Sequence, residues 1–166
     1  MRKLAAVVVI LASLGTLGGS SAGSAGEPRR YLAVMNDDGG LAQVPLAGTT
    51  FAVSYRNSIY QTLAEERYEV LGDGSFRLVE IAADQLAVLE EYYAVPGTPV
   101  PADDQDRRNY VVPPNPDRPA VFQTLSIAAT DLGQRTLHVP GEPPLELWEL
   151  VGNDNPYVVL NIKETQ

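Results

Sequence analysis

The chain has no cysteine and a single histidine among its 166 residues, and its twelve lysines and arginines face twenty-one aspartates and glutamates. Without cysteine there is no thiol nucleophile, iron–sulfur cluster, disulfide, thiolate zinc site or lipid-bearing anchor. One histidine excludes histidine-rich zinc or copper centres. That residue, His138, lies between Leu137 and Val139 on an alternating segment, and no G-x-S-x-G elbow is present. It reads as a structural strand residue rather than the base of a nucleophilic hydrolase, so no catalytic residue is assigned. The shortage of basic residues leaves a net charge of −9, with Arg29-Arg30 and Arg107-Arg108 as isolated pairs. Such a surface repels phosphate backbones and anionic headgroups, which excludes nucleic acid as a partner.

Long apolar runs are also scarce. The longest, Leu4 to Leu17, spans 14 residues, and a membrane-crossing helix needs roughly 20. It follows the basic start Met1-Arg2-Lys3 and precedes a stretch of Gly, Ser and Ala up to Gly26. These are the three parts of a secretory signal peptide over residues 1–25, which implies an extracytoplasmic location, secreted or periplasmic. An uncleaved membrane anchor is the alternative. Removing 25 of the 166 residues leaves 141, a single-domain length over residues 26–166, and the loss of Arg2 and Lys3 takes the charge from −9 to −11. A domain of that size can bury a sufficient core without disulfides.

What is present is alternation. Arg30 to Asn36 leads into the turn Asp37-Asp38-Gly39-Gly40, and Leu41 to Val44 can pair back. Thr49 to Asn57 is the clearest strand, with Phe51, Val53 and Tyr55 on one face. Ala64 to Leu71 places Glu66, Tyr68 and Val70 on one face and Glu65, Arg67 and Glu69 opposite. The turn Gly72-Asp73-Gly74 then leads into Ser75 to Ala82. From Asp84, a candidate cap, Leu86, Leu89 and Tyr93 fit a short helix. Val121 to Ala128, Arg135 to Val139, Leu145 to Val151 and Tyr157 to Lys163 return to strand patterns separated by turn residues. The expected fold is mainly β, a sandwich or partly open barrel of about eight short antiparallel strands with one short helix. Residues 95–120 contain seven prolines around PADDQDRRN; a mobile surface loop is the simpler reading and a lid over a site the sharper one.

Carboxylates are plentiful. Asp37-Asp38 and Asp103, Asp104 and Asp106 offer calcium-type oxygen ligands, but neither stretch has a twelve-residue loop ending in Glu. Solvated acidic turns account for both, and no metal or other cofactor is expected. The enzymatic alternative is a carboxylate-dependent hydrolase with Glu66 as base and Glu80 or Glu91 as acid. A third reading is a protein-interaction module presenting Tyr92, Tyr93 and Tyr110 beside the proline-rich segment.

The stretch from Phe51 to Val70 holds the candidate site. Asn57 continues the Phe51, Val53, Tyr55 face, and Glu66 shares a face with Tyr68 and Val70. A carboxylate facing a core needs hydrogen-bond partners, and Arg56, Asn57, Ser58 and Tyr60 are near in sequence. Tyr55, Arg56, Asn57, Ser58 and Glu66 are therefore candidate ligand-binding residues. The competing reading is that Glu66 pins the hairpin.

Tyr55-Arg56-Asn57-Ser58-Ile59-Tyr60-Gln61-Thr62, followed by Glu66-Arg67-Tyr68, resembles the signature of the bacterial domain-of-unknown-function family DUF1850. Its members carry a strand ending Y-x-H-S-V, then a Glu nine residues after the His, then an aromatic residue. Leu145, Leu147 and Val158-Val159-Leu160 near the C-terminus are also similar. The resemblance implies a small exported protein encoded beside tripartite (TRAP-type, TAXI subclass) solute transporters. It thus implies an accessory or ligand-handling role, with the transporter or its solute-binding protein as partner. Ser58 and Glu66 match the pattern, Asn57 stands where the family has His, and Ala83-Asp84-Gln85-Leu86-Ala87 replaces a Gly-rich turn. Asn can supply one hydrogen bond of a neutral His but cannot shuttle protons near neutral pH. These departures favour a non-enzymatic domain.

Overall fold

The computed structural model describes residues 29–92, 97–117 and 119–165. The leader over residues 1–25, Tyr93, and the side chains of Glu91 and Tyr92 lie outside the described residues.

Strands β1 (Arg29–Asn36) and β2 (Gly39–Pro45) form a hairpin. The Asn36 carboxamide oxygen accepts the N–H groups of Asp38 and Gly39, and Gly39 takes φ +133°, a conformation that favours glycine. Strands β3 (Thr50–Arg56), β4 (Leu63–Val70) and β5 (Phe76–Ala83) form a meander. Helix α1 (Leu86–Tyr92) follows, then β6 (Val100–Pro101), β7 (Tyr110–Val112), β8 (Val121–Phe122) and β9 (Thr124–Ala128). The chain continues through β10 (Thr136–His138), β11 (Leu145–Glu146), a 3-10 turn at Leu147–Glu149 and β12 (Tyr157–Thr165).

The strands build two antiparallel sheets, neither closed into a barrel. The first runs β2-β1-β12-β9 and the second β11-β10-β3-β4-β5-β7-β6, with β8 also paired to β5. This is the mainly β, sandwich-like architecture the alternation predicts. Leu32, Val34, Val158 and Leu160 of the first sheet share one buried cluster with Phe51, Val53, Tyr68 and Phe76 of the second. Phe51 stacks on Tyr68 at 5.0 Å between ring centroids, and Phe76 meets Tyr68 edge-on at 5.6 Å. Burying each such side chain stabilises the fold by about 1.5–3 kcal/mol before conformational entropy is set against it. A second cluster forms where Val88 and Leu89 of α1 cover Ala64, Ile81, Ala83 and Val112.

Three local expectations are corrected. The segment Leu145 to Val151 is not one strand; it turns after two residues into the 3-10 turn that buries Leu147. Asp84, read as a helix cap, directs its carboxylate to the Leu63 N–H and the Arg108 guanidinium. Within residues 95–120, where a mobile surface loop was the simpler expectation, Val100 pairs with Val111 and Pro101 with Tyr110, so a β6–β7 hairpin extends the second sheet. Proline tolerates this place because β6 is an edge strand.

Candidate functional site

The site lies on the face of the second sheet that points away from the shared core. Register decides which side chains stand there: Ser54 opposes Glu65 and Thr136, Ala52 opposes Arg67 and His138, and Arg67 opposes Glu80. Side chains directly opposite one another in a sheet share a face. Ala52, Ser54, Glu65, Arg67, Glu80 and His138 therefore stand together, while Val53, Glu66, Tyr68 and Ile81 point the other way.

This face is not left to solvent. Residues 102–109, at the tip of the β6–β7 hairpin, fold across it. Glu65 is 0% exposed, and its Oε1 accepts from Arg67 Nε at 2.8 Å and from Arg107 Nη2 at 2.7 Å. Arg67 reaches on to Glu80 at 2.7 Å and holds both oxygens of Asp106 in a fork, at 2.5 and 2.7 Å. The Arg108 guanidinium donates to Asp84 at 3.1 Å. Planar guanidinium donors match carboxylates in this two-point geometry, which fixes the tip in register with β4.

The electrostatics follow from these contacts. Its bond to Asp106 is the largest influence raising the Arg67 pKa, with Glu65 and Glu80 adding to it against the cost of burial. In return, Arg67 brings the Asp106 carboxyl down to about 2, helped by the Arg108 N–H. His138 is held below the usual histidine value, first by burial and then by the positive charge of Arg107, while Glu65 pulls the other way. Its Nε2 shares a 2.8 Å hydrogen bond with the Ser54 hydroxyl. Ser54 is only 5% exposed, and this bond orients the imidazole.

Beside the network opens a cleft of about 680 Å³, within the range of small-molecule sites. Glu65, Arg67, Glu80, Arg107, His138 and Glu142 supply its polar lining, and Val79, Val139, Pro140 and Pro144 its apolar lining. Glu65 Oε2 is buried there without a hydrogen bond; Arg108 Nε, also unsatisfied, is 3.8 Å away, too far for a direct one.

The residues singled out from sequence fall elsewhere. Asn57 is buried, and its Oδ1 accepts the N–H groups of Ile59 and Tyr60, so it builds the β3–β4 turn. Ser58 is exposed in that turn and lends its carbonyl to the Gln61 side chain. Arg56 is exposed and donates to Gln134, and the Tyr55 ring lies 4.1 Å beneath the Arg135 guanidinium. Glu66 faces the core side and accepts the Tyr68 hydroxyl at 2.8 Å. Burial, followed by the charge of Glu66 and this bond, pushes the Tyr68 pKa up. Glu66 and Glu80 thus lie on opposite faces, and the pair considered for hydrolysis does not share the cleft. Tyr110 is half-buried against the α1 cluster.

Sequence reasoning passed over Glu65, Arg67, Arg107 and His138. The one signal available was Arg107-Arg108 beside three aspartates in a chain otherwise poor in basic residues. Among the described residues, no group of three or more His, Asp or Glu side chains is arranged to hold a metal ion, and no helix is long and apolar enough to cross a membrane. The chain matches no family model, no curated protein and no solved structure.

Proposed function

We propose that this protein is a non-enzymatic binding domain that takes a small organic molecule into the cleft on the outer face of its second sheet. The observation that carries this reading is the cleft of about 680 Å³ built against the wholly buried, ion-paired Glu65. A buried charge network costs desolvation energy and is a weak source of stability, so its place beside an open cleft suits a site better than a brace. The test is a thermal-shift and ligand-observed NMR screen of chemically diverse fragments. Hits on the wild type should disappear in Thr50→Trp, which places a large ring at an exposed position on the cleft lining. Hits that survive that substitution, or no hits at all, would remove the reading.

The leader-like start and acidic character of the sequence and its resemblance at Tyr55 to Tyr68 support a further step. In this step the domain acts outside the cytoplasm as an accessory or ligand-handling partner of a tripartite solute transporter. A gene standing apart from any transporter genes would argue against that assignment and leave the cleft reading intact.

A further inference from the structure

The cleft's charge is lopsided. Two guanidinium groups and three carboxylates line it, those of Arg67, Arg107, Glu65, Glu80 and Glu142. Arg67 has four of its five N–H groups committed, to Glu65, Glu80 and both oxygens of Asp106. Arg107 has one nitrogen committed to Glu65 and a side chain 48% exposed to screening solvent. On the acidic side, Glu80 is engaged through one oxygen only; the Glu142 N–H donates to the Val139 carbonyl, while its carboxylate has no ion pair or hydrogen bond among the described residues. Glu65, wholly buried, is neutralised by Arg67 and Arg107 on Oε1 and by Arg108 3.8 Å from Oε2. Three carboxylates against two guanidinium groups leave the lining with surplus negative charge, in a protein of net charge −9. A field of that sign concentrates cations at the mouth of a cleft. Val79, Val139, Pro140 and Pro144 offer an apolar surface beside the acceptors.

We infer that the ligand is an organic cation, a protonated amine on an apolar body. Its ammonium donates to Glu80 and Glu142, and its hydrocarbon part lies on the valine and proline surface. An ammonium carries three donors and no acceptor, which complements carboxylate oxygens and leaves none of its own groups unmatched. This inference rests on the cleft reading above.

The experiment is calorimetric titration of the full chain at neutral pH with three probes of similar size: phenethylamine, 2-phenylethanol and 3-phenylpropionate. Phenethylamine should bind about tenfold more tightly than the alcohol, with the carboxylate weakest. Glu142→Gln, at a half-buried residue, should cost the amine about three- to fivefold and leave the alcohol unchanged. Raising ionic strength should erode the same preference. Equal or tighter binding of the alcohol or the carboxylate overturns the inference, as does an amine preference unmoved by both Glu142→Gln and Glu80→Gln. In either case, loss of the alcohol or carboxylate signal in Thr50→Trp would show the cleft reading standing alone. No binding by any of the three overturns the inference as well, and the fragment screen then decides the cleft.

Discussion

Adjacent residues of β4, Glu65 and Glu66, carry the same chemistry into two different environments. Glu66 points to the sandwich core and accepts the Tyr68 hydroxyl. Glu65 points away from the core, yet it is the more buried of the two, with two guanidinium groups on one oxygen. The core face is closed by apolar packing between sheets, so a polar group there is set among hydrocarbon side chains. The outer face is closed by a charged hairpin tip, so its carboxylates and arginines must satisfy one another as a network. Burial in this molecule does not distinguish an inside from an outside of the sheet. It distinguishes dry apolar contact from covered ionic contact.

The largest test of that contrast is Glu65→Ala. It leaves the covered Arg67 short of a partner and the half-exposed Arg107 without its carboxylate, and it should lower unfolding free energy by about 3 kcal/mol in urea denaturation. The low end of the range for broken buried pairs is expected because Arg67 keeps Glu80 and Asp106. Glu66→Ala strips one acceptor from a buried hydroxyl and should cost about 1–3 kcal/mol. If Glu66→Ala proved the costlier of the two, the outer network would be a surface feature and the contrast would collapse.

Asn57→Ala removes the acceptor of two turn N–H groups and should cost about 1 kcal/mol. That loss should come without any change in fragment binding, which would separate a turn-builder from a site residue.

A smaller effect is expected from pH. His138 has a folded pKa below its unfolded value of about 6.5. Between the two values the unfolded chain therefore binds more protons. The stability it contributes is complete above pH 6.5 and is lost as pH falls through the folded pKa. Between pH 7 and 5 the melting temperature of the wild type should fall more steeply than that of His138→Gln. Parallel curves would mean the imidazole is freely hydrated. Ser58→Ala, at an exposed turn position, should change stability by no more than about 0.5 kcal/mol.

Much of the fold was legible from periodicity. The strands around Phe51, Tyr68 and Phe76 follow the alternation of apolar residues, and Gly39 and Gly74 sit at turns with positive φ. The site was legible only in part. Strict alternation correctly assigned Glu66 to the core side and Glu65 to the opposite one, but an opposite side is solvent only when nothing lies over it. Glu65 and Arg107 are 42 residues apart, and no local pattern announces their meeting. The same holds for Ser54 and His138, 84 residues apart, which β10 joins by pairing with β3.

By itself, then, the sequence determined the mainly β class, the strands and turns of the β1–β2 hairpin and the β3–β5 meander and the acidic character, because each depends on neighbours along the chain. Tertiary structure alone decided that residues 102–109 cover the outer face, that Glu65 becomes the buried carboxylate, and that a cleft opens beside it. Those outcomes depend on which strands lie side by side and on which surface a distant hairpin tip comes to rest. Such contacts are fixed by packing and ion pairing across the fold, and a reading along the chain contains neither.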